Sequence, residues 1–195
     1  IEAYNNIALD LAYLGEHEKA IGFIDQALSI RPDFIEAIDN KGCFLNAMGR
    51  YQAACDCFEN ALRINPKDTM ALANLSIALI HLGEYATAKD LAEALIKISP
   101  EDHKGYSNLG KISLKQENLE AALSYFLKAD SCKPNDPDNL ADLGTIHSST
   151  GNFDVAKGFF EVALQINPDH GASHFGLGLM HHDLRDFDQA ITYYS

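Results

Sequence analysis

The sequence predicts an all-α solenoid of stacked helix–turn–helix units, and three observations carry the prediction. Five of the six prolines, Pro32, Pro66, Pro100, Pro134 and Pro168, recur every 34 residues. Ala20, Ala54, Ala88, Ala122, Ala156 and Ala190 form an unbroken set at the same interval. A second set of small residues, Ala8, Gly42, Ser76, Gly110, Gly144 and Gly178, keeps the same phase. One residue type at a fixed interval can arise by chance, but several in one phase define a stacked repeat. Repeats begin at 1, 35, 69, 103, 137 and 171, the sixth being partial, and residues 1–195 form a single array with no linker, low-complexity run or composition shift.

The elements of the unit follow in chain order. A first helix runs from the repeat start to the residue before a glycine slot, for example 35–48, and its small residues let the partner helix approach closely. Gly15, Gly49, Gly83 and Gly151 occupy that slot, with Glu117 and Arg185 in the remaining two. Glycine there supplies the left-handed turn that ends the helix. A second helix, for example 52–64, carries a bulky position filled by Ile24, Phe58, Phe126, Phe160 and Tyr194, with Ala92 as the exception. The proline follows because it cannot continue a helix. Asp33, Asp68, Asp102, Asp136 and Asp169 lie within about one residue of a common slot and are expected to cap the next helix.

Segments such as GYSNLG at 105–110 and AALSYFLKA at 121–129 resemble the tetratricopeptide repeat family, whose pattern combines aromatic, leucine, glycine, tyrosine, alanine, phenylalanine and proline positions. The resemblance covers the whole chain and implies a right-handed superhelix. The family's tryptophan is missing; Tyr4, Ile38, Leu72, Tyr106, Leu140 and His174 stand in its place. Lys41 replaces a core leucine and Leu95 an alanine.

Hydrophobic residues make up 47% of the 195, enough to supply the faces that a solenoid buries between neighbouring repeats. A net charge of −13 argues against nucleic acid, which needs a clustered basic surface, and against an anionic membrane surface. No stretch is apolar enough to insert into a bilayer; even 69–83 contains Asn74, Ser76 and His81. Cys55 and Cys57 are two apart on a helix and so point about 200° from each other, poor geometry for a shared metal or a bridge. With Cys43 and Cys132 they are expected to be free thiols in a reducing compartment, the cytoplasm. The chain carries none of the spacings of a nucleophile elbow, phosphate loop, zinc protease or dinucleotide fold, and no enzyme activity or cofactor is expected. His170, His174 and His181 share a helix face, but two of them occupy packing positions of the repeat, so a metal is not expected. Gly171, Gly176 and Gly178 are expected to be helix-packing positions. Asn74-Leu75-Ser76 fits a glycosylation acceptor placed mid-helix.

The expected function is recognition, that of a scaffold or adaptor. The family resemblance implies that the first helices line a concave groove, with positions two, five, six, nine, twelve and thirteen of each repeat pointing inward. Position six reads Asn6, Asn40, Asn74 and Asn108, then Asp142 and Gly176. Asparagine is a poor helix-interior residue, so four in phase need a reason. An amide can pair with both the N–H and the C=O of a passing peptide. With helices about 8–10 Å apart and an extended chain advancing about 3.3 Å per residue, each asparagine meets roughly every third ligand residue. This is similar to the asparagine ladder in the repeat region of O-linked N-acetylglucosamine transferase, which grips extended target segments. The alternative is that the asparagines hydrogen-bond between adjacent helices and fix the pitch.

Lys104, Lys111 and Lys115 share a stripe of one helix with Asn108, in an otherwise acidic chain. Upstream stand Glu2, Glu36, Asp39, Met70, Ala73, Ile77 and Ile80, and downstream Asp138, Asp142, Thr145, Ser148 and Ser149. A protein or peptide segment with an acidic residue or free C-terminus near the fourth repeat, and apolar anchors at Met70 and Ile77, fits this map. The alternative for the lysines is a solvated face paired with neighbouring carboxylates. The two-carboxylate clamp that some relatives use for chaperone tails is mostly absent, since the corresponding positions hold Asn5, Leu9, Asn40, Met70 and Asn74.

The chain starts without methionine and stops partway through a helix, so a longer parent protein is expected. With no polar cap visible, the last repeat should expose Phe187, Ile191 and Tyr194, and either end-to-end association of copies or a parent protein that continues the array is expected. Two other functional classes remain open: a targeting arm of a larger enzyme such as a glycosyltransferase, and a self-assembling structural protein.

Overall fold

The computed structural model describes residues 1–194 and divides into two compact units, residues 1–100 and residues 101 onward. The first unit holds α1 (Glu2–Tyr13), α2 (His17–Ile30), α3 (Ile35–Ala47), α4 (Tyr51–Ile64), α5 (Thr69–Leu82) and α6 (Tyr85–Ile98). The second holds α7 (His103–Lys115), α8 (Leu119–Cys132), α9 (Pro137–Ser149), α10 (Phe153–Ile166), α11 (Gly171–Asp183) and α12 (Phe187–Tyr194). Among the described residues there is no strand. Within each unit a helix packs on the one before and the one after it, and α1 meets α3, α3 meets α5 and α9 meets α11. This is the all-α helical-repeat solenoid read from the sequence, with the example helices 35–48 and 52–64 found at Ile35–Ala47 and Tyr51–Ile64.

The turn between the helices of a repeat uses the glycine slot as expected, with φ of 77° at Gly15, 71° at Gly49, 83° at Gly83 and 77° at Gly151. Glu117 and Arg185 adopt the same left-handed conformation, φ 60° and 62°, although each carries a Cβ. The geometry of the repeat therefore dictates the turn and overrides residue preference, at a cost of about 1–2 kcal/mol each.

The small-residue set and the bulky set prove to be two halves of one contact. A Cβ added at Gly42 would lie 2.5 Å from the Phe58 ring, at Gly110 2.7 Å from Phe126, at Gly144 2.7 Å from Phe160 and at Gly178 2.3 Å from Tyr194. Phe58, Phe126 and Phe160 are fully buried at these crossings. Where the bulky slot shrinks to Ala92, the facing small position grows to Ser76, whose hydroxyl donates to the Ala88 carbonyl at 2.9 Å. Volume is thus exchanged across the helix pair while the interhelical fit is kept. Phe160 also abuts Gly176, 2.5 Å from an added Cβ, so its ring lies between two glycines. Gly171, by contrast, is exposed with nothing within 4 Å, and does not pack as its phase suggested.

Three of the five aspartates cap helices. Asp68 accepts from the Met70 and Ala71 N–H groups, Asp102 from Lys104 and Asp136 from Asn139. Asp33 and Asp169 do not: Phe34 and His170 occupy those cap positions, without a side-chain bond. The cap lies two residues past the proline, and an aspartate one residue early is out of phase with the N–H groups it would have to reach. Lys41, at the leucine slot, bonds Asp25 at 2.6 Å, and Leu95 is fully buried. Phe187, Ile191 and Tyr194 are exposed. No helix among the described residues is long and apolar enough to cross a membrane.

Candidate functional site

In the first unit, position six of the second and third repeats faces the first helix of the repeat before it. Asn40 on α3 donates from Nδ2 to Asn5 Oδ1 on α1 at 2.8 Å. Asn74 on α5 donates to Cys43 Sγ on α3 at 3.3 Å. Each amide is half-buried and keeps a carbonyl and a second N–H beyond that bond. Asn6 is exposed on α1. In the second unit Asn108 is almost wholly enclosed, 1% exposed, which separates it from the other three. Asp142 holds position six of the next repeat, and Lys111 on α7 reaches its Oδ2 at 3.7 Å. Burial pushes the Asp142 carboxyl up to about 6, with Lys111 pulling against it. At Asn40, Asn74 and Asp142, position six is therefore a tie between successive first helices.

The lysine stripe splits on the structure. Lys111 is half-buried in its ion pair, Lys104 is half-buried on the first turn of α7, and Lys115 is exposed at the helix end. In the apolar stretch, Met70 is exposed and Ile77 half-buried. Ala73 and Ile80, expected to line the groove, are instead in the interior at 0% and 5% exposure. Helix α5 is apolar around most of its circumference, and Ala73 packs in a cluster with Leu62 of α4 and with Leu91 and Leu95 of α6. The Asn74-Leu75-Ser76 triplet is closed as well, because Ser76 is fully buried.

One concavity of the first unit has no counterpart in the sequence reading. An open cleft of about 560 Å³ is lined by the turn before α3 (Arg31, Asp33, Phe34), the first turns of α3 (Ile35, Glu36, Asp39) and the α4–α5 turn with Met70. The turn contributes Asn65 and Asp68. Asp39 is 6% exposed, and its Oδ1 is buried without a hydrogen-bond partner. Burial, then the negative charges of Asp68 and Glu36, push its carboxyl up to about 7. Arg31 lies 3.9 Å over the Phe34 ring and 3.6 Å from Glu2, so its charge is already engaged at the rim. The sequence signal was an aspartate on the buried stripe of an amphipathic helix.

The histidines have separate partners. His170 sits between the Ser173 hydroxyl and Asp138, at 2.8 and 3.0 Å, His174 contacts the Pro168 carbonyl at 2.8 Å, and His181 contacts Asp186 at 3.2 Å. Among the described residues no group of three His, Cys, Asp or Glu side chains could hold a metal ion. None of the four cysteines is in a disulfide among the described residues, and burial raises Cys55 to about 11.

The sequence matches family models described as tetratricopeptide repeat over residues 1–34 and 103–136, 45–112, and 141–195. No curated protein matches significantly. Among solved structures, the chain is similar to a thermophilic tetratricopeptide repeat protein of Thermus thermophilus, with a TM-score of 0.80 and 17% identity over 99% of this chain and 96% of that one. It is similar to the anaphase-promoting complex Cut9–Hcn1 hetero-tetramer, with a TM-score of 0.83 and 15% identity over 97% of this chain and 38% of that one. It is also similar to YrrB, described as a repeat protein with an unusual peptide-binding site, with a TM-score of 0.56 and 25% identity over 87% of this chain and 88% of that one. With the 34-residue period, the paired helices and the glycine–aromatic crossings already in place, these matches show that the chain belongs to the tetratricopeptide repeat family.

Proposed function

We propose that the chain is a protein-interaction scaffold that binds extended segments of partner proteins along the face formed by the first helices of its repeats. The observation that carries this reading is the row of amides on α1, α3 and α5: Asn6 exposed, Asn40 and Asn74 half-buried, each of the latter with donors and acceptors beyond its helix-to-helix bond. A half-buried amide that is already oriented by one bond loses little freedom when it takes a second partner. Met70 and Ile77 supply apolar contact beside it. The peptide-binding site of YrrB adds support by analogy of fold. In the second unit, Lys104, Lys111 and Lys115 would receive an acidic residue or a free C-terminus, and Asn108 would act by holding α7 in place from the interior. Lys111 would do so by exchanging or sharing Asp142.

Selection from a displayed library of random peptides against the chain, followed by titration of the recovered peptides, tests the reading. Binders should lose about 0.5–1.5 kcal/mol per amide in an Asn40→Ala, Asn74→Ala double variant whose melting temperature is checked in parallel. Recovered acidic peptides should weaken and lose salt dependence with Lys111→Glu. Normal binding by a folded double variant removes the amide row from the function.

A further inference from the structure

The cleft at the start of α3 has a chemistry that the amide row does not share. Its charged lining is dominated by carboxylates: Asp33 and Glu36 exposed at its edge, Asp68 half-exposed at the α5 cap, and Asp39 at its floor. Asp68 is partly engaged, since one oxygen accepts from the Met70 and Ala71 N–H groups. Asp39 is not, because its Oδ1 is buried without a partner in a wall where every neighbouring carboxylate has access to solvent or a cap. A buried carboxylate oxygen with no donor is unfavourable, and a ligand donor that reached it would relieve that cost. Arg31, the one cation among the described lining residues, is held over Phe34 and toward Glu2. A bare metal ion is the wrong occupant, since no group of three ligating side chains converges among the described residues.

We propose that this cleft takes the side chain of a lysine or arginine from a bound partner segment, its aliphatic stem lying along Met70 and its charged nitrogen drawn to Asp39, whose side chain turns to bring the buried Oδ1 to that donor. Charge complementarity selects the occupant: Glu36 and Asp68 stand close enough to act on the Asp39 carboxyl, and both favour a cation beside it. The volume, about 560 Å³ and open on one side, admits a long side chain as far as the Asp39 wall. The exposed thioether of Met70 gives the stem an adaptable apolar surface. The inference rests on the segment-binding reading for its biological ligand and names one residue class that the segment must contain.

The test uses the full chain, isotope-labelled, and short capped peptides of glycine and serine with a central arginine, lysine, norleucine or glutamate. Arginine and lysine peptides should shift the amide signals of residues 31–39 and 65–70, weakly and in a salt-dependent way, and norleucine and glutamate peptides should not. Asp39→Asn, which keeps the shape of the side chain, should weaken arginine binding about tenfold or more, and Glu36→Gln at the rim by a smaller factor. Equal shifts from norleucine, unchanged arginine affinity in Asp39→Asn, or no shifts at these residues from any peptide up to about 10 mM would overturn the proposal. Display-selected binders that lack basic residues and ignore Asp39→Asn would remove the cleft and leave the scaffold reading intact. Failure of selection together with a working arginine titration would do the reverse.

Discussion

Replacing Asp39 by asparagine should make the protein more stable at neutral and alkaline pH and change little at low pH. The carboxyl is 6% exposed, and burial with Asp68 and Glu36 nearby lifts it from its ordinary 3.8 to about 7. A carboxyl with a raised folded-state pKa binds its proton more tightly in the native than in the unfolded chain. Its contribution to stability is therefore fully present below about pH 4, falls as pH rises toward 7, and is constant above. At about 1.4 kcal/mol per pH unit over that window, the loss is at most about 4 kcal/mol. Asparagine is nearly isosteric and has no charge to desolvate. Denaturant melts of both proteins at intervals from pH 3.5 to 8.5 give the difference in unfolding free energy, which cancels every other titrating group to first order. The difference should be small at the acid end, climb between about pH 4 and 7 in favour of the variant, and then level off. The Asp39 side-chain carbon signal should titrate near pH 7 in parallel. A flat difference, or one that favours the wild type as pH rises, would refute the assignment of Asp39 as a buried, unpartnered acid.

Three further outcomes follow from the packing and the ties. Gly144→Ala drives a methyl to 2.7 Å from the buried Phe160 ring and should cost about 1–3 kcal/mol; added to a Phe160→Leu background it should cost clearly less, and strict additivity in a denaturation cycle would argue against the crossing. Glu117→Gly releases a left-handed residue at φ 60° and should leave stability unchanged or raise it by up to about 1 kcal/mol, whereas Gly151→Ala should lower it; both are read from thermal melts. Lys111→Met removes the cation that opposes the burial of Asp142, so that carboxyl should titrate above its present value of about 6 in a carbon-detected pH titration, and a downward move would contradict the ion pair.

The architecture is readable because a repeat writes each structural requirement several times. Glycine at 15, 49, 83 and 151 reveals a left-handed turn that Glu117 and Arg185, taken singly, would hide. The cap demands single-residue precision: Asp33 and Asp169 look equivalent to Asp68 in the sequence, but only a residue two past the proline faces the open N–H groups. The phase of the asparagines is legible, and their partners are not. Asn40 crosses to Asn5 and Asn74 to Cys43, contacts 35 and 31 residues apart in the chain. Ala73 and Ile80 carry the right phase for a groove and the wrong surroundings, since α5 is covered from more than one side.

By itself, then, the sequence determined what depends on local chemistry and periodicity: the number and approximate ends of the helices, the turn that joins them, the recurring small and bulky positions, and the acidic character of the chain. These are set by backbone sterics and by which faces are apolar, and both recur every 34 residues. Only the tertiary structure decided which polar groups lose water. Asp39, Asn108 and Asp142 are ordinary letters in an amphipathic pattern. Solvation depends on what neighbouring helices place around each oxygen and nitrogen, and that is a property of three-dimensional packing which no position in a linear chain contains.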